Sequence, residues 1–237
     1  MTRTFVGCLL LVPTLALAGE QGGVLDTNYE VGAGYTKDRD SDSVDLSGTI
    51  NLPLFGYVGS SAFVGGQTSQ ADSGSNQLDA DNLGFGGSIY LRDFDLGKVG
   101  VSAAYTKTFF DSSSPAVPDD LKSYQYSAFG EYYIDRFTLG FQRTLVDVED
   151  PVDDANSWTG SVAWYPEDNT KLLLSGSGMD SRDNYSVALS HQPDALGEST
   201  EVSLGYTSSP HDDTFNLSLS YYFGTQVPLI DRDRKYR

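Results

Sequence analysis

The sequence is short of several features on which common protein classes depend. It has one cysteine, Cys8, and only two histidines. Beyond residue 20, no apolar run approaches the ~20 residues of a transmembrane helix, and the longest aliphatic run is Leu172-Leu173-Leu174. Basic residues are also scarce, with 15 Lys and Arg against 33 Asp and Glu and a net charge of −18. These shortages exclude a disulfide scaffold, a bundle of membrane-spanning helices and nucleic-acid binding.

The first residues have the pattern of an export signal. Arg3 precedes an apolar run over residues 5–17, and the run ends in Ala16-Leu17-Ala18. A charged start, an apolar run and small residues at the end are typical of a secretory signal peptide. We therefore expect a signal peptide at residues 1–18, cleaved after Ala18, so that Cys8 is lost and the mature chain begins at residue 19.

Alternation of apolar and polar residues dominates the rest of the chain. In residues 214–223, Phe215, Leu217, Leu219, Tyr221 and Phe223 fall on one face of an extended strand. About twelve such segments succeed one another between residues 26 and 223, with mostly Ser, Thr, Asn, Gln, Gly and Ala on the opposite faces. A membrane strand needs only ~9–11 residues, half of them apolar, so the mean hydropathy of −0.31 does not exclude a membrane protein.

Connections and aromatic residues favour a membrane barrel over a soluble β-sandwich. Short turns are predicted near residues 55–56, 93–97, 135 and 166–169, and longer polar links at 37–43, 68–81, 110–121 and 147–155. Aromatic residues cluster beside both sets of connections, as at two membrane interfaces. The cluster beside the short turns comprises Phe55, Tyr57, Phe94, Tyr132, Tyr133, Phe137, Trp164, Tyr165, Tyr221 and Phe223. The sequence thus predicts an all-β fold, a closed antiparallel up-and-down transmembrane β-barrel of about 12 strands, with roughly 10 or 14 as alternatives.

Residues 214–223 also resemble the closing strand of porin-like Gram-negative outer-membrane β-barrel proteins, a resemblance to the class and not to one subfamily. The shared features are the alternating apolar positions, an aromatic residue two before the end and a terminal Phe, here Phe223. The resemblance implies pairing with the first strand and recognition by the barrel-assembly machinery. It departs from the family at residues 224–237, which follow the Phe; we expect them to form a periplasmic C-terminal tail after a barrel of residues 19–223.

The inward faces predict a narrow, water-filled passage, because small side chains do not fill a barrel of this size. Charged and larger polar residues on these faces are the candidate pore-lining set: Glu30, Asp45, Asn51, Arg92, Lys98, Glu131, Arg136, Gln142 and Asn216. Of these, the basic residues are expected near the periplasmic mouth.

Few residues suggest catalysis or metal binding. Ser190 and His191 are adjacent and point to opposite faces of a strand, so they cannot act as nucleophile and base. His211 lies in a polar turn, and the acidic run Asp38-x-Asp40-x-Asp42 lacks the glycine and final glutamate of a calcium loop. We predict no enzyme activity, no cofactor and no metal.

The function predicted from the sequence is passive diffusion of small hydrophilic solutes through a porin-like channel in the cell outer membrane. The acidic loops predict a modest preference for cations. The alternative is a non-conducting barrel that acts as a scaffold, an adhesin or a subunit of an envelope complex. The expected partners are outer-membrane lipid and lipopolysaccharide, the barrel-assembly machinery and the solutes, but no nucleic acid; a monomer is favoured.

Overall fold

Twelve strands make up most of the chain. The structure is a computed structural model that describes residues 22–71, 78–112, 119–149, 154–179, 182–210 and 212–237. The strands are β1 Asn28–Lys37, β2 Ser41–Phe55, β3 Val58–Ala71, β4 Leu78–Asp93, β5 Gly97–Ser112, β6 Asp120–Ile134, β7 Phe137–Val148, β8 Ala155–Glu167, β9 Thr170–Met179, β10 Arg182–His191, β11 Thr200–Ser208 and β12 Asp213–Phe223.

Each strand pairs antiparallel with its neighbours in sequence, and the sheet closes on itself. The closing pair joins β1 to β12 in a register that runs from Tyr29 opposite Phe223 to Lys37 opposite Phe215. Closure leaves no unpaired strand edge, which is the condition for a sheet to cross a bilayer. The predicted up-and-down barrel and its count of 12 strands are confirmed.

The outer surface of the barrel is apolar. Large hydrophobic side chains such as Leu46, Phe85, Leu204 and Leu217 are more than half exposed, and their neighbours along each strand point inward. A continuous apolar surface of this kind is unstable in water and fits a hydrocarbon environment. Within the part of the chain that the structure describes, no helix has the length and apolar character to cross a membrane.

The two ends of the barrel differ. At one end, which we call the turn end, strands are joined at residues 56–57, 94–96, 135–136, 168–169 and 192–199. At the opposite end, the loop end, β1 is joined to β2 through residues 38–40, and the described parts of β3, β5, β7, β9 and β11 end where those of β4, β6, β8, β10 and β12 begin. The strands extend further toward the loop end than the sequence suggested: β3 continues to Ala71 and β4 begins at Leu78, both inside a predicted polar link.

The chain segments that flank the barrel both lie at the turn end. The first described residues contact the end of β4 there: Gly22 forms a β-bridge with Asp93, and the N–H of Gly23 donates to the carbonyl of Arg92 (2.9 Å). After β12, one α-helical turn, α1 (Leu229–Asp231), continues into a wider turn over Arg232–Tyr236. We call residues 228–237 the plug. The predicted signal peptide lies outside the described residues.

Candidate functional site

Between the turn end and the loop end, the lumen is lined mainly by small and uncharged polar side chains, many of which bond to one another. Gln67 donates to Ser43 (2.9 Å) and accepts from Asn82 (3.1 Å), and Thr108 donates to Asn82 (2.6 Å). On the closing pair of strands, Asn216 of β12 donates to Thr36 of β1 (3.0 Å). Each of these bonds joins side chains of adjacent strands along the wall.

At the turn end the lining changes from small residues to aromatic rings. Tyr90, Tyr133, Tyr165 and Tyr222 all point inward and are nearly completely buried. Glycines make room for some of them, since a Cβ at Gly59 would lie 2.5 Å from the Tyr90 ring. Tyr133 and Tyr165 are therefore not part of the aromatic belt in which the sequence analysis placed them. Strand alternation explains this, because each follows a residue, Tyr132 or Trp164, that faces outward.

The plug lies inside this aromatic ring of the barrel. Leu229 is 0 % exposed and packs with Ala163, Tyr165, Leu173 and Ile230, and Arg232 is 1 % exposed. The N–H of Ile230 donates to the carbonyl of Asp168 (3.1 Å). Residues 224–237 were expected to extend into the periplasm as a tail; the structure instead turns their second half back into the barrel.

Both flanking segments of the chain contribute to this closure. The N–H of Leu25 donates to the carbonyl of Lys235 (2.9 Å), and the side-chain amide of Asn28 donates to the carbonyl of Tyr236 (2.7 Å). Asn51 donates in turn to the Asn28 carbonyl oxygen (3.0 Å), and Val24 is fully buried. The residues around the start of β1 thus hydrogen-bond the last part of the plug and help to hold it at the turn end.

An ionic network fixes the plug to the barrel wall. The guanidinium of Arg237 pairs with Glu201 of β11 (2.8 Å), Glu30 of β1 (3.2 Å) and Asp233 within the plug (2.7 Å). Asp233 also accepts from Lys171 of β9 (2.8 Å) and from the hydroxyl of Tyr165 (2.8 Å). The network therefore joins strands on both sides of the barrel closure through a single segment.

Burial changes the acidity of the plug. Burial raises the pKa of Asp233 above its ordinary value, and the nearby ammonium of Lys171 offsets only part of that rise. For Arg237, burial lowers the pKa, but Glu201 and Glu30 outweigh burial and hold it above the usual range. Because the docked pKa of Asp233 exceeds that of a solvated carboxyl, protonation of Asp233 favours the docked plug.

Rings and cations alternate beneath the lumen. Arg232 lies over Tyr222 with 3.8 Å from its guanidinium carbon to the ring centre, and Arg234 lies over Tyr133 at 5.0 Å. Arg92 lies over Tyr90 at 4.9 Å. Such cation–π contacts hold buried guanidinium groups without neutralising them.

The structure divides the nine candidate pore-lining residues among three places. Three of them face the open lumen: Asp45, Gln142 and Asn216. Five are part of the packed turn end: Glu30, Asn51, Arg92, Lys98 and Glu131. The ninth, Arg136, lies in a turn at the rim. Lys98 pairs with Glu131 (2.9 Å), whereas Arg136 pairs with Asp168 (2.7 Å). Asp45 and Asn216 lie toward the loop end of the wall, whereas Lys98, Glu131 and Gln142 line a cavity beside the plug.

The catalytic candidates take structural positions. Ser190 is buried and hydrogen-bonds Ser203, while the exposed ring of His191 bonds to Thr170 through Nδ1 (2.9 Å). His211 lies outside the described residues. Asp38 accepts from the hydroxyl of Ser41 (2.7 Å) and so stabilises its own turn. Among the described residues, no group of three or more His, Cys, Asp or Glu has a geometry that could hold a metal ion.

Comparison with known proteins bears on the fold. The structure is similar to the KdgM porin in complex with disordered oligogalacturonate (TM-score 0.59, 10% identity, 82% of this chain and 99% of that one). It has the fold of outer-membrane β-barrel proteins. The translocator domain of autotransporter NalP from Neisseria meningitidis is also similar (TM-score 0.62, 10% identity, 84% of this chain and 88% of that one). So is the Pseudomonas putida toluene transporter TodX (TM-score 0.52, 8% identity, 83% of this chain and 89% of that one).

Sequence comparisons add nothing to this picture. No protein-family model matches the sequence, and the curated proteins include no significant match to it. At 8–10% identity the structural likeness shows the fold alone.

Proposed function

We propose that this chain is an outer-membrane channel for small hydrophilic solutes that is closed at its turn end by its own plug. The observation that carries the proposal is the pairing of a polar, small-residue lumen with a separate segment that fills one end of it. The described side chains of the mid-lumen are too small to pack the interior of a twelve-stranded barrel. Water would fill the space that they leave in the lumen, whereas the rings and buried charges of the turn end exclude water.

The plug has the properties expected of a movable closure. It is attached to β12 through residues 224–227, which are mostly exposed, and its contacts with the barrel are mainly side-chain contacts. Its charged groups are largely buried while it is docked, and they would be solvated once it leaves. Undocking would therefore expose an ionic network to water without breaking a strand pairing.

Planar-bilayer recordings test the proposal with three proteins. The full mature chain should show rare or small conductance steps, and a chain truncated after Gly224 should show large and sustained ones. A third protein carries Asp168→Cys and Ile230→Cys, two residues whose backbones are hydrogen-bonded, so that a disulfide can lock the plug. It should stay closed when oxidised and behave like the full chain when reduced. Absence of conductance from correctly folded truncated protein would reject the channel.

Two finer parts of the proposal need their own measurements. Acidic residues in the links of the loop end, such as Asp40, Asp119, Asp154 and Asp212, support a modest preference for cations, which the reversal potential of the truncated channel in a salt gradient measures. The function also assumes export after cleavage behind Ala18 and insertion by the barrel-assembly machinery into a membrane with lipopolysaccharide. Mass spectrometry of the mature protein from an outer-membrane fraction would establish the cleavage site and the location.

The closed turn end also favours the second candidate, a barrel that does not conduct and acts through its surface. A stoichiometric partner recovered with the full chain from native membranes, together with a silent truncated protein, would establish this scaffold function instead.

A further inference from the structure

A cavity lies in the lumen where the barrel wall meets the plug. It measures about 450 Å³. Its upper wall comes from β5 to β9 and includes the hydroxyl or amide groups of Ser102, Gln142, Thr159 and Ser161. Its floor is formed by Asp233, Arg234 and Arg237 of the plug, beside the rings of Phe129, Tyr133 and Tyr165. The cavity therefore exists only while the plug is docked.

The charges around the cavity are unbalanced in favour of cations. Four cations, Lys98, Lys171, Arg234 and Arg237, face it against two carboxylates, Glu131 and Asp233. Beyond the cavity, Arg92 and Arg232 are accompanied by Glu30, Glu198 and Glu201, so the excess is greatest at the cavity itself. This excess is opposite in sign to the chain as a whole, which carries 33 acidic and 15 basic residues.

Of the four cations that line the cavity, three are in ion pairs, and Arg234 is the fourth. Nη2 donates to the carbonyl of Phe137 (2.8 Å), and the guanidinium lies between the rings of Tyr133 and Tyr165. Its buried Nε has no hydrogen-bond partner, and no carboxylate of the described residues lies within ion-pair distance of it. A partly buried cation without an anion is costly, because its lost hydration is not replaced.

We infer that this cavity, the floor site, binds small organic anions that carry a carboxylate. A guanidinium recognises a planar carboxylate through charge-assisted hydrogen bonds. The hydroxyl and amide groups of the wall suit a hydroxylated body, and the tyrosine rings suit a planar one. The inference goes beyond the proposed channel function, because it makes the anion a ligand of the docked, closed state; it rests on that function only for the effect of the anion on opening.

Because the floor site contains both wall and plug residues, a bound anion stabilises the docked plug. A ligand that binds only one of two states shifts the equilibrium toward that state. The linkage predicts that an anionic solute at high concentration slows opening of the channel, while a neutral solute of the same size does not.

Isothermal titration calorimetry on the folded mature chain in detergent tests the floor site. The probes are benzoate and gluconate, each with a neutral counterpart, benzamide and sorbitol, and inorganic phosphate as a non-carboxylate anion. We expect the carboxylates to bind, the neutral molecules not to bind, and phosphate to bind more weakly than either carboxylate. Binding of the neutral molecules at equal affinity, or stronger binding of phosphate, would overturn the assignment to carboxylates.

Two plug variants of equal charge locate the site. Arg234→Gln should weaken carboxylate binding by about tenfold or more, the loss expected for one charged hydrogen bond. Lys235→Gln is the matched control, because Lys235 pairs with Asp231 (2.9 Å) and does not line the cavity. Lys98→Gln on the wall is a second variant should the first not fold, and the chain truncated after Gly224 should lose binding altogether. Equal affinities for the Arg234 and Lys235 variants would refute the floor site.

The calorimetry and the bilayer recordings can fail independently. Conductance without carboxylate binding would leave the channel standing and remove the floor site. Binding without conductance from the truncated chain would keep the site and remove the channel.

Discussion

The contribution of Leu229 to plug docking can be worked out from its surroundings. The side chain is 0 % exposed and packs against Ala163, Tyr165 and Leu173. Truncation of a buried leucine to alanine costs about 2–5 kcal/mol, and the lower end already corresponds to a factor of roughly 30 in an equilibrium constant. Because the plug docks as a separate segment, we expect Leu229→Ala to raise its undocked fraction by about 30-fold or more.

Limited trypsin digestion in reconstituted membranes measures that fraction. The plug contains three internal cleavage sites, after Arg232, Arg234 and Lys235, and docking holds their backbone against the barrel. When redocking is faster than cleavage, the cleavage rate is proportional to the undocked fraction. Mass spectrometry of the C-terminus should therefore show cleavage about 30-fold faster in the Leu229→Ala protein.

Leu196→Ala is the matched control for this experiment. Leu196 lies at the same end of the barrel, in the link between β10 and β11, but is 56 % exposed. Its removal should leave the cleavage rate unchanged. If Leu229→Ala and Leu196→Ala are cleaved alike, or if the unmodified chain is already cleaved without delay, the plug is not docked as described.

Three further predictions concern the acidity of the plug, a turn and the facing of a strand. As the pH falls through the raised pKa of Asp233, protonation of this carboxyl should favour docking, and Asp233→Asn should remove its contribution to the pH dependence of bilayer openings; an unchanged pH profile in the variant would contradict it. Gly97→Ala should lower the unfolding free energy by about 1–3 kcal/mol, because Gly97 has φ +147° and a Cβ there would collide with the carbonyl of Glu131. Gly160→Ala is the control and should leave the unfolding free energy unchanged, because a Cβ at Gly160 would meet free space. Leu217→Arg on the lipid face should cost about 2–4 kcal/mol in urea unfolding, and the adjacent Ser218→Arg, which faces the lumen, should cost clearly less; equal costs would mean the facing is wrong.

The barrel could be predicted from the sequence because its signal is repeated. Period-two alternation recurs in most strands, although β3 is rich in Gly and Ser and β9 alternates weakly. Each clear repeat fixes which residues face lipid, as Leu217 and Ser218 do in β12. The closure was equally accessible, because unpaired backbone groups are not tolerated in hydrocarbon and the last strand must therefore find the first. The strand ends were harder to predict. The residues near Ala71 and Leu78 are mostly polar, and such a stretch is equally typical of a strand end and of a loop.

The plug left a weaker trace in the sequence. Residues 231–237 alternate acidic and basic side chains, a pattern equally typical of a solvated tail. Their partners, Glu30 and Glu201, are 207 and 36 residues away from Arg237, so no local pattern joins them. The usable signal was on the inward face: the tyrosines at 90, 133, 165 and 222, each close to the turn end of its strand, interrupt a lining that is otherwise mostly of small residues.

Closure of the barrel and docking of the plug are separable in this fold. The ladder between β1 and β12 comprises nine residue pairs, and none of them includes a plug residue. The plug instead reaches the wall through side chains and a few backbone contacts at the turns, such as that between Ile230 and Asp168. Its removal would hydrate Glu30, Glu201 and Lys171 rather than leave them buried without partners, so the desolvation penalty that punishes half of a buried ion pair does not arise. The barrel therefore retains its stability in either state, which is the requirement for a closure that can open.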